Sequence, residues 1–112
     1  MVRNLVRVSI AAAGMTLAAA GLAAAADAAR GEAVYAEQKC SLCHSIAGKG
    51  NPRGSLDGVG TKLSADDIKQ WIVNPKEMAA RTKADRKPPM KAYPNLPADD
   101  VDALVAYLQT LK

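Results

Sequence analysis

Phenylalanine is absent from this chain, and one tryptophan and three tyrosines are its only aromatic residues. Histidine occurs once and cysteine twice. No alternating apolar–polar stretch of useful length appears, and no internal repeat. Each scarcity excludes something. A short chain without large rings buries little apolar surface, so it needs a staple or a filler at its centre. Three Cys and His side chains fall one short of the four ligands of a structural zinc site. Charge is not strongly of one sign either: the formal balance is +4. Leaving aside Arg3 and Arg7, 13 basic residues stand against 11 acidic ones. Such a mild excess, with no aromatic–basic interleaving, argues against a nucleic-acid partner.

What is present begins with an export pattern. Arg3 and Arg7 precede an almost uninterrupted apolar run from Val8 to Ala26, and small residues crowd the exit, Ala23 to Ala29 around Asp27. A positive start, an apolar middle and an Ala-x-Ala-like exit predict a secretory signal peptide over residues 1–26, cleaved near Ala26 or Ala28. The competing reading is an uncleaved membrane anchor. Alanine dominates the run and is only weakly lipophilic, which favours cleavage. Residues 27–112 then form one small exported domain.

Three helical stretches are legible in that domain. In Gly31 to Lys39, Gly31, Val34 and Tyr35 share a face. Ser64-Ala65-Asp66-Asp67 resembles a capping box and opens a helix that buries Ile68, Trp71 and Ile72, with Asn74-Pro75 closing it. The third carries Pro97 in its first turn, Asp99 and Asp100 at the positive end of its dipole, and a stripe of Val101, Leu104, Val105, Leu108 and Leu111. Between them lie a Gly-rich segment, Gly48 to Gly60, and a Pro-rich one, Lys87 to Pro97. The predicted class is all-α with long loops, and loops of this length in so small a domain point to something they wrap.

Cys40-Ser41-Leu42-Cys43-His44 supplies the candidate. It is C-x-x-C-H, the c-type haem attachment pattern. Two thiols at this spacing can each add to one haem vinyl group, and the next residue falls beneath the iron as an imidazole ligand. A thioredoxin-like motif would need a βαβ context that is missing, and a disulfide here would close a very small loop. A second axial ligand follows by elimination. His44 is the sole histidine, and Met1 and Met15 lie in the export region, so Met78 and Met90 remain, with a lysine or an open position as further alternatives. Met90 is favoured, because Pro88 and Pro89 stiffen the chain before it. Met78, just past a helix end, reads better as a gap-filling methionine.

With these motifs the chain resembles the small class I c-type cytochromes over nearly all of residues 27–112. The matching residues are Gly31 to Tyr35, Cys40 to His44, Trp71 to Pro75, and Met90 through Tyr93-Pro94-Asn95-Leu96 into Leu104 to Leu108. The resemblance implies a cytochrome c-like fold of three or more short helices and long loops around one covalent haem c. It also implies that the first and last helices cross, Gly31 and Tyr35 against Leu104 and Tyr107, and that Met90 is the distal ligand. Trp71 is a candidate to donate its indole N–H to a haem propionate, with ordinary core packing as the alternative. Relatives often place a proline after the haem motif, whose carbonyl receives the Nδ1 proton of the histidine. This chain has Ser55 before Leu56-Asp57-Gly58, so which carbonyl orients His44 stays open.

These readings predict a one-electron carrier rather than an enzyme, since sulfur and imidazole leave the iron no open position, and methionine ligation favours a relatively high potential. The run Lys76, Arg81, Lys83, Arg86, Lys87 and Lys91 faces only Glu77 and Asp85 and forms a candidate docking patch for an acidic redox partner. The expected setting is a bacterial periplasm, as a monomer that meets membranes only through partner complexes or an uncleaved anchor. Two alternatives are a gas-binding sensor or peroxidase-like enzyme with a labile sixth ligand, and one haem subunit of a larger oxidoreductase complex.

Overall fold

The computed structural model describes the backbone of residues 15–112 and side chains from residue 21 onward. The charged start of the expected export signal and the first part of its apolar run lie outside the described residues. The helices are α1 (Met15–Glu37), α2 (Val59–Lys62), α3 (Ala65–Val73), α4 (Pro75–Thr82) and α5 (Ala98–Gln109). α1 passes without a break through Ala26 and Ala28, and from residue 21 onward its first buried residue is Gly31. Among the described residues no helix is long and apolar enough to cross a membrane.

The class is all-α, as the sequence implies, although α1 begins well before Gly31 and α2 starts within the Gly-rich segment read as loop; two further departures follow. A hairpin of two-residue strands, β1 (Ser45–Ile46) and β2 (Lys49–Gly50), pairs Ser45 with Gly50 and Ile46 with Lys49. It is too short to leave a period in the sequence. The second departure is α4. Asn74 caps α3 as expected, its N–H bonding the Gln70 carbonyl at 2.7 Å. Pro75 then occupies the first turn of a new helix, where its missing N–H is no loss and its fixed φ is already helical. Reading Asn74-Pro75 as a stop alone overlooked the good helix formers behind it, Ala79, Ala80 and Arg81.

α1 and α5 cross at their small residues. A side chain on Gly31 would collide with the backbone carbonyl of Ala103 and with Tyr107 Cβ. Four residues on, the Tyr35 and Tyr107 rings meet edge to face, centroids 6.0 Å apart at 62°. Arg30 flanks the crossing, its Nε and Nη2 each donating to Asp100 at 3.1 Å, while Nη1 reaches Glu37. That fork is half exposed and adds little beyond orientation. Val34, Ile68, Ile72, Val101, Leu104, Val105 and Leu108 form the apolar core beside it. The stripe predicted for α5 is therefore its buried face, with Leu111 at the edge.

α3 starts as its sequence implies: Ser64 Oγ accepts the Asp67 N–H at 3.1 Å, and Asp66 and Asp67 fill the first turn. α2 is moored to the end of α5. The Gly60 N–H bonds the Leu111 carbonyl at 2.8 Å, and a Cβ at Gly60 would strike the Gln109 carbonyl. This mooring fixes the downstream end of the Gly-rich segment.

Gly31→Ala sets two effects against each other. Alanine gains about 1 kcal/mol of helix propensity, but overpacking against a backbone that cannot rotate away costs about 1–3 kcal/mol. The clash is with a carbonyl on the partner helix, so a net loss in denaturant unfolding is expected; unchanged or higher stability would show that the helices separate at little cost.

Candidate functional site

A cleft of about 300 Å³ opens between the helical core and the segment that follows α4. Its walls are apolar: Leu56, Val59 and Leu63 from one side, Ile68 and Ile72 from α3, Leu104 and Leu108 from α5. Cys40, Cys43 and His44 line it, as do Trp71, Met90 and Tyr93. Residues as distant in sequence as Cys40 and Leu108 thus share one cavity. Both cysteines are free thiols.

The route from α1 into the motif explains how the thiols are placed. Lys39 adopts a left-handed conformation, φ 55°, which ends the helical path and turns the chain into a 3₁₀ turn over Cys40–Leu42. The Cys43 and His44 N–H groups both bond the Cys40 carbonyl, at 3.1 and 2.9 Å. One tight turn therefore carries both thiols and the imidazole. Leu42, between them, is 70 % exposed and contributes nothing to the cavity.

The open question of the His44 partner has a geometric answer. His44 Nδ1 lies 3.0 Å from the Gly54 carbonyl, at the end of a 3₁₀ turn over Pro52–Gly54. Asn51 caps that turn, accepting the Arg53 N–H at 3.0 Å. With Nδ1 as donor, the other ring nitrogen keeps its lone pair. Burial lowers the imidazole pKa and the nearby Arg86 charge lowers it further, against the opposing pull of the Gly54 carbonyl. The ring is held neutral, the form that ligates a metal. The carbonyl is thus that of Gly54, directly before Ser55, in a turn that Asn51 caps and Pro52 opens.

The remaining predicted residues divide. Met78 is buried, 4 % exposed, with its sulfur 3.6 Å from Arg81 Nη1, so it packs inside rather than facing the cleft. Trp71 lines the cleft. Of the basic run, Lys76, Arg81, Lys83, Lys87 and Lys91 are exposed. Lys91 also stands 5.2 Å over the Tyr93 ring. Arg86 departs from the expectation of a surface patch: it is half-buried and lines the cleft. Sequence reasoning also missed Tyr35 as a wall residue. Its hydroxyl is enclosed without a hydrogen-bond partner among the described residues.

Two predictions follow from this geometry. A Cβ at Gly54 would strike the Cys43 carbonyl and Arg86 Nη1 and lie 3.0 Å from His44 Nδ1. Gly54→Ala should cost about 1–3 kcal/mol in unfolding and speed solvent exchange of the His44 Nδ1 proton; wild-type exchange would mean the carbonyl is not its acceptor. Burial pushes the Tyr35 phenol up to about 12. An unfolded tyrosine ionises near pH 10, so between about pH 10 and 12 the unfolded state releases a proton that the folded state keeps, and stability falls as pH rises. Tyr35→Phe should be at least as stable as wild type at pH 8 and lose less on going to pH 11 in denaturant titrations. A less stable variant at pH 8 would show that the hydroxyl has a partner.

The profile of the Cytochrome c family matches residues 28–112. A "Cytochrome c oxidase subunit 2" from Alkalihalophilus pseudofirmus is 29% identical over 92 residues, covering 74% of this chain and 25% of that protein. The chain thus spans about a quarter of the length of that relative. No solved structure matches. With a family match across the whole globular region, a helical fold and a thiol–imidazole turn on an apolar cleft, the chain belongs to the cytochrome c family, whose domain carries covalent haem c for electron transfer.

Proposed function

We propose that the protein is a one-electron carrier in which Cys40 and Cys43 hold haem c as thioethers and His44 and Met90 are the axial ligands. One observation carries this reading: two free thiols, a neutral imidazole and a thioether share one apolar cleft. The residues present fit the group. The cleft supplies apolar walls on several sides, and a single tight turn presents all three proximal groups. Haem supplies the ferric/ferrous couple.

The chain's own residues set the conditions. Gly54 fixes the His44 tautomer and ring orientation through Nδ1. Pro88 and Pro89 limit the freedom of the segment that brings Met90 to the cavity. Methionine sulfur and apolar surroundings both favour ferrous iron, so the couple is of relatively high potential. Trp71, on the cleft wall, is the candidate donor to a propionate.

Residues 1–26 serve as an export signal in this reading, and the mature domain works in a bacterial periplasm. Lys76, Arg81, Lys83, Lys87 and Lys91, all exposed and grouped on α4 and the segment leading to Met90, form a surface for an acidic redox partner. Such docking is weak, fast and salt-sensitive. A second reading is favoured by the named relative: the domain can act as the haem-bearing part of a larger oxidase assembly. Both readings share the same ligation.

The optical spectrum of the haem-loaded protein tests the ligand set. Wild type should be low-spin with a sulfur-to-iron charge-transfer band. Met90→Ala should lose that band, while Met78→Ala keeps it and instead loses about 2–5 kcal/mol of stability as a buried truncation. A band surviving in Met90→Ala, or a high-spin wild type that takes up carbon monoxide, would sink the His44/Met90 carrier.

A further inference from the structure

Arg86 is the odd member of the basic run. Its five basic neighbours in that run are exposed, whereas Arg86 turns inward and lines the cleft with Pro88, Pro89 and Met90. Its Nε is enclosed and has no hydrogen-bond partner among the described residues. Its Nη1 packs on Gly54 so closely that a Cβ there would overlap it. The ion pairs among the described residues join Arg30 to Glu37 and Asp100, and Lys69 to Asp102; none involves Arg86. An enclosed N–H without an acceptor is costly, and on a charged group an anionic acceptor satisfies it best. Arg86 lines the cleft, so a group that fills the cleft is placed to supply that acceptor.

We infer that Arg86 pairs with a carboxylate of the bound haem and so latches the Met90 segment against the loop that orients His44. The inference rests on the haem reading above. Haem c carries two propionates, and a planar guanidinium is suited to bind a carboxylate through more than one N–H. Arg86 and Met90 are four residues apart on one segment, and Gly54, on which Arg86 packs, is the acceptor for His44 Nδ1. A single charge-assisted contact would therefore tie together the two stretches of chain that supply the axial ligands. Arg86 is a positioning residue in this account: it acts on the iron through Met90 and through its charge. A nearby cation also favours the ferrous state, which bears one positive charge less.

The experiment compares haem-loaded wild type, Arg86→Gln and Arg86→Lys in three measurements. These are imidazole affinity at the Met90 side, the ferrous/ferric ratio at a fixed solution potential, and the redox-difference infrared bands of the haem carboxylates. In Arg86→Gln imidazole should bind about tenfold more tightly, the ferrous/ferric ratio should fall several-fold, and one carboxylate band should shift. Arg86→Lys, which keeps the charge but not the fork, should restore the ratio more than the band position. If Arg86→Gln matches wild type in imidazole affinity and carboxylate bands, the latch is overturned while the ligation stands. If Arg86→Gln does not load haem, the same readouts on Arg86→Lys decide, and wild-type bands there also overturn it. A wild type without the charge-transfer band fails earlier and removes both readings together.

Discussion

Helix α1 approaches α5 so closely that the Ala103 carbonyl occupies the space where residue 31 would carry a side chain. Much else hangs on that approach. The crossing sets where α1 ends, and with it the 3₁₀ turn that displays Cys40, Cys43 and His44 one residue pair later. It sets the direction of α5, whose C-terminal carbonyls then receive Gly60 and hold the far end of the Gly-rich loop. The same α5 face supplies Leu104 and Leu108 to both the core and the cleft. One glycine thus determines how the proximal loop, the cavity wall and the mooring of α2 lie relative to one another.

The second constraint is what the chain does not fill. Its core is built from Val, Ile, Leu and Ala side chains, and no phenylalanine spans the gap between α3, α5 and the Met90 segment. Domains of this size bury too little apolar surface to be comfortably stable without help. A covalent haem held by Cys40 and Cys43 would supply apolar ring area that the side chains lack, against the cleft walls of Leu56, Ile68, Ile72, Leu104 and Leu108. Attachment and folding are then coupled, since the residues that bind the group are also those whose burial depends on it. Loops that look excessive for so few residues are proportionate once they enclose a cofactor.

Much of this was legible in the residues. The Cys40 to His44 spacing, the Ser64 cap and the α5 stripe each state a local rule that the fold obeys, and Gly31 followed from the resemblance. What was not legible came from groups whose meaning depends on distant partners. Pro75 carries two local meanings, stop and start, and only the chain beyond it chooses between them. Gly54 is an unremarkable glycine until His44 arrives ten residues away in sequence and 3.0 Å away in space. Tyr35 reads as half of a ring pair, and nothing in sequence reveals that its hydroxyl faces the cavity side without a partner. The hairpin at residues 45–50 is simply too short for a period to register.

Arg86 shows why composition alone misassigns charge. Six basic residues between positions 76 and 91 form a patch when counted, and a patch suggests a surface for steering. The fold separates them. Five face solvent, where each interaction is screened and individually small. The sixth is half-buried on the cleft wall with its Nε enclosed, where a charge is less screened than at the open surface. A long-range field from exposed cations and a short-range charge on a cleft wall are different physical effects, and one stretch of chain carries both kinds of cation. The turn at Lys83, left-handed at φ 56°, is what allows the split. It ends α4 with its cations outward and lets the next three residues fold back over the cleft. The order of residues in that short segment, rather than its net charge, therefore decides which cations face solvent and which one lines the cleft.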